Sequence, residues 1–203
     1  MSTPAPLQFV PTLPPEEAAR ANFYALFARL FCEPPDEALL KLLASAEKID
    51  SEEGGLGVAW RDLTAAAAGA RAEAVRAEYD SLFIGTGKAP VTLYSCAYSM
   101  RSSNQAPLAV LRGELAALGL ARQPQVNEPE DHIGSLCDTM RFLIAEHRAG
   151  LAEQKQFFER WIWPTAGALC TAIQGSDLSE FYRSVAACFL ALCKVEHMAF
   201  EML

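Results

Sequence analysis

The sequence predicts an all-α fold, a single-domain bundle of about 8–9 helices over residues 1–203. Three observations predict it. Apolar residues recur at helical spacing in segment after segment. The apolar half of the composition is rich in Ala and Leu and poor in Ile and Val, which favours helix over sheet. No segment shows the two-residue alternation of a half-buried strand convincingly. A chain of 203 residues buries roughly 70% of its unfolded surface in one core and needs no disulfide or metal to hold it.

Each element follows from local chemistry. Residues 1–14 read as a flexible tail. Residues 15–31 carry Phe23, Leu26, Phe27, Leu30 and Phe31 on one wide apolar stripe. Pro34-Pro35 ends that helix, and Asp36 caps a second one bearing Leu39, Leu40, Leu42 and Leu43. Residues 52–57 form a loop. Helices follow near 57–68 and 71–83, the latter with Val75, Tyr79, Leu82 and Phe83 on one side. Residues 84–104 are irregular, punctuated by Gly85, Gly87 and Pro90; so long a loop in a compact domain is functional or tightly packed. A helix near 106–118 ends at Gly119. After a loop over 119–127, Glu128-Pro129-Glu130-Asp131-His132 opens a helix that buries Ile133, Leu136, Cys137, Met140, Leu143, Ile144 and His147. Asn127 with Glu130 resembles a capping box, and Asp131 is itself a natural cap. Pro164 kinks or splits a helix over 151–173, and a last helix runs over about 178–202.

Composition excludes several functions. With 17 basic and 25 acidic residues the net charge is −8, a poor basis for binding nucleic acid and a better one for a basic partner. The N-terminus has no basic region followed by an apolar one, so it is not expected to act as a secretory signal. The longest apolar run, Val185 to Cys193, is too short to span a bilayer. A cytoplasmic protein without stable membrane insertion is expected. Cysteines 32, 96, 137, 170, 188 and 193 include no CxxC pair and read as reduced, buried thiols.

Several patterns invite chemistry and do not sustain it. Gly85-Thr86-Gly87-Lys88 lacks the first glycine and the Ser/Thr of a phosphate loop. Cys193 and His197 lie at metal-edge spacing with nothing to complete a tetrahedral set, and His147 reads as a core histidine. No GxSxG or HExxH occurs. Trp161 and Trp163 beside Pro164 read either as core packing at a kink or as the wall of an apolar groove. For Asp131 and His132, cap, catalytic group and docking point all remain open.

Two blocks, in order, resemble the TorD/DmsD-type redox-enzyme maturation chaperones. The first is Tyr79-x-x-Leu82-Phe83-x-Gly85 with Pro90, Tyr94 and Tyr98. The second is Glu128-Pro129-x-Asp131-His132 opening a helix. Phe158, Trp163-Pro164 and Phe181-Tyr182 follow in the family's order. Where the family often reads Pro-Tyr-Glu-Ser, this chain has Leu93-Tyr94-Ser95-Cys96. The resemblance implies an all-helical protein with no enzymatic activity and no cofactor or metal of its own, monomeric or a swapped dimer. It implies binding of the twin-arginine signal peptide and apo form of a DMSO-reductase-type molybdoenzyme, with molybdenum-cofactor delivery proteins as further partners. Glu128, Pro129, Asp131, His132, Tyr94, Tyr98 and Trp163 then form the client-binding site. A nucleotide switch built on Lys88 and the 84–104 loop, and a helical scaffold that recognises only the mature client, are the other classes.

Overall fold

The computed structural model describes residues 13–49, 55–85, 87, 89–98, 106–121, 129–147 and 149–203. Among them nine α-helices follow one another: α1 (Pro15–Cys32), α2 (Glu37–Ala44), α3 (Leu56–Gly69), α4 (Ala72–Tyr79), α5 (Pro107–Ala117), α6 (Ile133–Ala145), α7 (Leu151–Phe157), α8 (Trp163–Gln174) and α9 (Phe181–Glu201). The described residues contain no strand, as the sequence predicts, and the only extended pairing among them is an isolated antiparallel bridge between Tyr94 and His132. The tail assigned to residues 1–14 lies almost wholly outside the described residues.

The most extensive helix pair is α1 with α6; α8 and α3 pack on α9, and α2 packs on α3. The stripe on α1 turns Phe27 and Phe31 onto Phe189 of α9, with ring centroids 5.0 and 5.3 Å apart. Two tyrosines then close the C-terminal end of α1, where carbonyls have no intrahelical partner. Tyr79 donates its hydroxyl to the carbonyl of Phe31 at 2.8 Å, and Tyr182 donates to that of Leu30 at 2.9 Å. The Tyr79, Phe83 and Tyr182 rings pack together there. Tyr79 and Phe83 of the first block, with Tyr182, thus hold α1 to α4 and α9.

Two helices break into π-turns. After α4 the chain widens over Asp80–Ile84 and ends where Gly85, at φ 63°, donates to the Asp80 carbonyl at 2.7 Å. The helix expected over 151–173 is split by a second π-turn at Phe158–Ile162, closed by the Trp163 N–H donating to the Phe158 carbonyl. Pro164 explains the split. It has no N–H for the ladder and its ring would meet a carbonyl one turn back, so it sits in the first turn of a new helix, α8.

Asp36 caps α2 as expected, accepting from the Leu39 N–H at 2.8 Å. The start of α9 is capped from afar. The Glu78 carboxylate accepts the N–H groups of Glu180, Phe181 and Tyr182 at 2.8–2.9 Å, placing a negative charge at the positive end of the longest helix. This cap starts α9 at Phe181, later than the 178 predicted. Glu78→Ala is expected to cost about 2–3 kcal/mol, read as a lower urea midpoint.

His147 is a correction. It lies beyond α6, exposed, stacked on Phe142 at 5.9 Å and 3.7 Å from Glu153, and not in the core. The helix has ended by then: the Glu146 N–H makes the last ordinary helical bond, to the Phe142 carbonyl, and the His147 N–H turns back to the same carbonyl. The cysteines are a partial correction. Cys137, Cys170, Cys188 and Cys193 are buried, whereas Cys96 is partly buried and Cys32 exposed.

Burial pushes the Cys170 and Cys188 thiols up to about 12. It holds Cys137 and Cys193 well above the ordinary thiol range, with nearby thiols and carboxylates adding to the effect. In the unfolded chain such thiols ionise near pH ~8.5. Above that pH the unfolded state binds fewer protons than the folded one, so stability is lost as pH rises from about 8.5 towards 12. The urea midpoint at about pH 10.5 is expected to lie below that at about pH 8, and a thiol reagent should modify Cys32 well before the four buried cysteines.

Candidate functional site

The two sequence blocks meet at the Tyr94–His132 bridge. Ser95 N–H donates to the Asp131 carbonyl at 2.9 Å, and Ile133 N–H donates to the Leu93 carbonyl at 2.8 Å. The Asp131 carboxylate accepts from the Cys96 N–H, 35 residues away in sequence, at 3.2 Å. The first block therefore wraps back onto the entrance of α6 through backbone bonds and one side chain. A short turn of helix, Ser95–Ala97, completes the wrap, and Tyr98 braces it by donating its hydroxyl to the Thr92 carbonyl at 2.8 Å.

The cap of α6 is His132 and not Asp131. Its Nδ1 accepts from the Gly134 N–H at 3.2 Å, so the neutral ring carries its proton on Nε2. Asp131 is drawn off the helix end because its carboxylate is engaged by the Cys96 N–H. Both residues are 4% exposed. Tyr94 meets the His132 ring edge-on at 5.6 Å. The capping box of Asn127 and Glu130 cannot be followed, because Asn127 lies outside the described residues, as do Glu128, Thr86 and Lys88. Pro129 is partly buried, and its carbonyl accepts from the His132 N–H at 3.2 Å. Glu130 holds the outer side of the turn and pairs with Arg112 of α5 at 3.0 Å.

The cluster contains a thiol beside a carboxylate, but its chemistry is not that of a nucleophile. Burial, then the hydrogen bond and charge of Asp131, push the Cys96 thiol up to about 11, where almost none is thiolate at neutral pH. Ser95 Oγ is buried with no hydrogen-bond partner among the described residues. Among the described residues the bonds of this cluster fix a turn.

Trp163 makes its ring contacts elsewhere. It stacks on His197 of α9 at 4.1 Å and on Phe158 at 6.1 Å. Trp161 is core, with its Nε1–H donating to Glu114 at 2.6 Å. His197 also lies 3.5 Å from Glu201, and no group of three or more candidate metal ligands is gathered among the described residues. No described helix is long and apolar enough to cross a membrane.

Beside the bridge lies a feature that sequence reading missed. A trough of about 730 Å3 opens between α1, α5 and α6, lined by Ala25, Ala28, Cys32, Leu115, Gly134 and Phe142 among others, with Glu130 at its edge. Gly134 lets α1 and α6 approach closely. A Cβ there would lie 2.5 Å from Cys32 Sγ and 3.1 Å from the Ala28 carbonyl. The signal in the sequence was the run of small residues facing one another across two helices, which periodicity alone counts as ordinary core.

Comparison with known proteins adds to this geometry. Residues 50–171, more than half of the chain, match the family model described as nitrate reductase delta subunit. Among solved structures, the fold is similar to that of a protein from Archaeoglobus fulgidus described as a redox enzyme maturation protein. The TM-score is 0.55 and the identity 20%, over 91% of this chain and 95% of that one. No curated protein matches at a significant level.

Proposed function

Because this chain belongs to the nitrate reductase delta subunit family, whose members are chaperones of redox-enzyme maturation, we propose that it attends a molybdenum-cofactor oxidoreductase in the cytoplasm. In this reading it binds the twin-arginine signal peptide of a DMSO-reductase-type enzyme, the apo form of that enzyme, or both. It delays export until the cofactor is in place. The observation that supports the reading is the joining of the two blocks at Tyr94 and His132, which brings Tyr94 against Asp131 and His132, three of the residues that the resemblance assigns to client recognition.

The charge and the aromatic residues suit such a ligand. A twin-arginine leader offers a basic segment followed by an apolar one. Arginine pairs with carboxylates in bidentate geometry, and the net charge of −8 favours its approach. Three or four apolar anchors give about 5–12 kcal/mol gross, and ordering a peptide removes roughly 2–5 of that. A few charge contacts leave the affinity near micromolar, about −8 kcal/mol. That strength suits a protein that must release its client. Asp131 and His132, being buried, act as the frame of the site, while Pro129, Tyr94, Tyr98 and the partly buried Glu130 lie nearer the ligand.

Titration with the signal peptide of the molybdoenzyme encoded beside this protein tests the reading. Micromolar binding that weakens as salt rises is the expected result. No binding at any salt, with a leaderless client still co-purifying undiminished, replaces it with a scaffold that recognises only the mature enzyme.

A further inference from the structure

We propose that the apolar groove between α1 and α9 is the seat of this chain's own residues 7–10, Leu7-Gln8-Phe9-Val10, which precede α1. The proposal goes beyond the chaperone reading and does not depend on it.

The groove has a volume of about 570 Å3 and is walled by Phe23 of α1, Leu56 of α3, Leu151 of α7, and Leu192, Val195 and Phe200 of α9. That size falls within the roughly 300–1,000 Å3 of pockets that hold small ligands. Leu151 is 44% exposed there, and apolar side chains gathered around an open groove mark a surface that binds something. Three carboxylates, Glu16, Glu17 and Glu196, also line it. Two of them are taken, since Arg20 pairs with Glu17 and with Glu196, each at 2.7 Å. Glu16 is exposed to water, where a charge contact is worth little. The groove therefore suits an uncharged, apolar stretch of chain.

Sequence and tether choose the occupant. Residues 1–12 contain no charged side chain, and Leu7, Phe9 and Val10 are their densest apolar cluster. Arg20 pairs with Glu196 and Phe27 meets Phe189, so α1 and α9 run antiparallel and the end of α9 lies beside the start of α1. The described chain begins there, at Leu13, three residues before Glu16 of the groove wall. The six residues back to Leu7 reach about 20 Å. The stretch of α9 from Leu192 to Phe200 is about 12 Å long, room for roughly four extended residues. Ile49 also lines the groove, but residues 50–54 that follow it carry three carboxylates and no apolar side chain. Residues 99–105 and 122–128 flank α5, which contributes nothing to the lining. A second copy of this chain would approach against a like charge of −8, whereas a short tether raises the local concentration of the chain's own segment to the millimolar range.

The test uses the full chain with photoreactive benzoylphenylalanine in place of Phe9, and locates the cross-links by mass spectrometry. Irradiation is expected to join position 9 to the groove wall, at Phe23, Leu192, Val195 or Phe200, in a product that runs as a monomer. Ala19→Trp and Ala199→Trp, at two exposed positions on the lining, should each lower that yield roughly fivefold or more by filling the space. Leu7→Asp in the photoreactive chain should lower it similarly, because a carboxylate finds no partner in an apolar seat. Far-UV circular dichroism checks that each variant is folded. Cross-links that miss the groove wall, or a yield that none of the variants lowers, overturn the proposal and leave the groove to an apolar segment of another protein. A product that joins two copies also overturns it and gives the groove to a second chain. Signal-peptide titration remains the test of the chaperone reading, so either can fail alone.

Discussion

Exchanging Arg20 for methionine is expected to destabilise the protein by about 3–5 kcal/mol, the cost of breaking a buried ion pair from one side. Glu196 on α9 is 3% exposed. Its carboxylate accepts Arg20 Nε at 2.7 Å, Nη2 at 2.8 Å and the Tyr24 hydroxyl at 3.0 Å. Burial alone would lower the Arg20 pKa, but hydrogen bonding to Glu196 and its charge more than offset this and raise it. Burial, followed by the Glu196 charge, pushes Tyr24 well above the usual phenol range. Methionine keeps the length of the side chain and removes every donor, leaving a buried charge held by a single hydroxyl. For a domain of this size the melting temperature should fall by roughly 6–20 °C. Arg20→Met with Glu196→Met should recover most of the loss, because two apolar side chains replace the pair together. A single variant within about 1 kcal/mol of the wild type would show that the pair matters little.

Asp131→Ala is expected to weaken client-peptide binding by about tenfold and to cost about 1–3 kcal/mol of stability, since the Cys96 N–H loses its acceptor. The informative comparison is with Asp131→Asn. The amide oxygen can accept the same hydrogen bond without charge. If Asp131 acts by positioning the turn that carries Tyr94 and Tyr98, the asparagine variant binds nearly as well as the wild type. If its charge is read by a ligand arginine, asparagine fails as alanine does. Its 4% exposure favours the first outcome, and peptide titration of the two variants at one salt concentration decides between them.

The parts of the fold visible in the sequence were those encoded within one or two helical turns. The stripe on α1, the Asp36 cap, the break at Pro164 and the boundaries of α3 and α5 are all local, and the structure keeps them to within a residue or two. What sequence missed is carried by partners far apart in the chain. Glu78 caps a helix more than a hundred residues on, and Arg20 pairs with a carboxylate 176 residues away. No periodicity announces either. At the candidate site, the blocks were readable but the roles within them were not. Local capping rules put Asp131 at the helix end, and the long-range bond to Cys96 reassigned that place to His132. His147 continued the apolar period of α6, but the helix had already ended. The two π-turns escaped because periodicity does not register one residue of surplus.

The weak attachment of α5 has a consequence for motion. Among the described residues α5 shares no extensive interface with another helix. It is held by buried Leu111 and Leu115 and by Glu114, which binds the Trp161 indole and pairs with Arg160 at 2.6 Å. The bonds of Leu93 and Ser95 to Ile133 and Asp131 clasp the stretch of chain that contains it at both ends. The helix α5 itself can undergo sub-global opening while the rest of the bundle stays folded. Its amides should therefore exchange with deuterium ahead of those of α1, α6 and α9. A peptide lying against Leu115 should slow that exchange without touching the core, so ligand occupancy would be legible as protection of one helix alone.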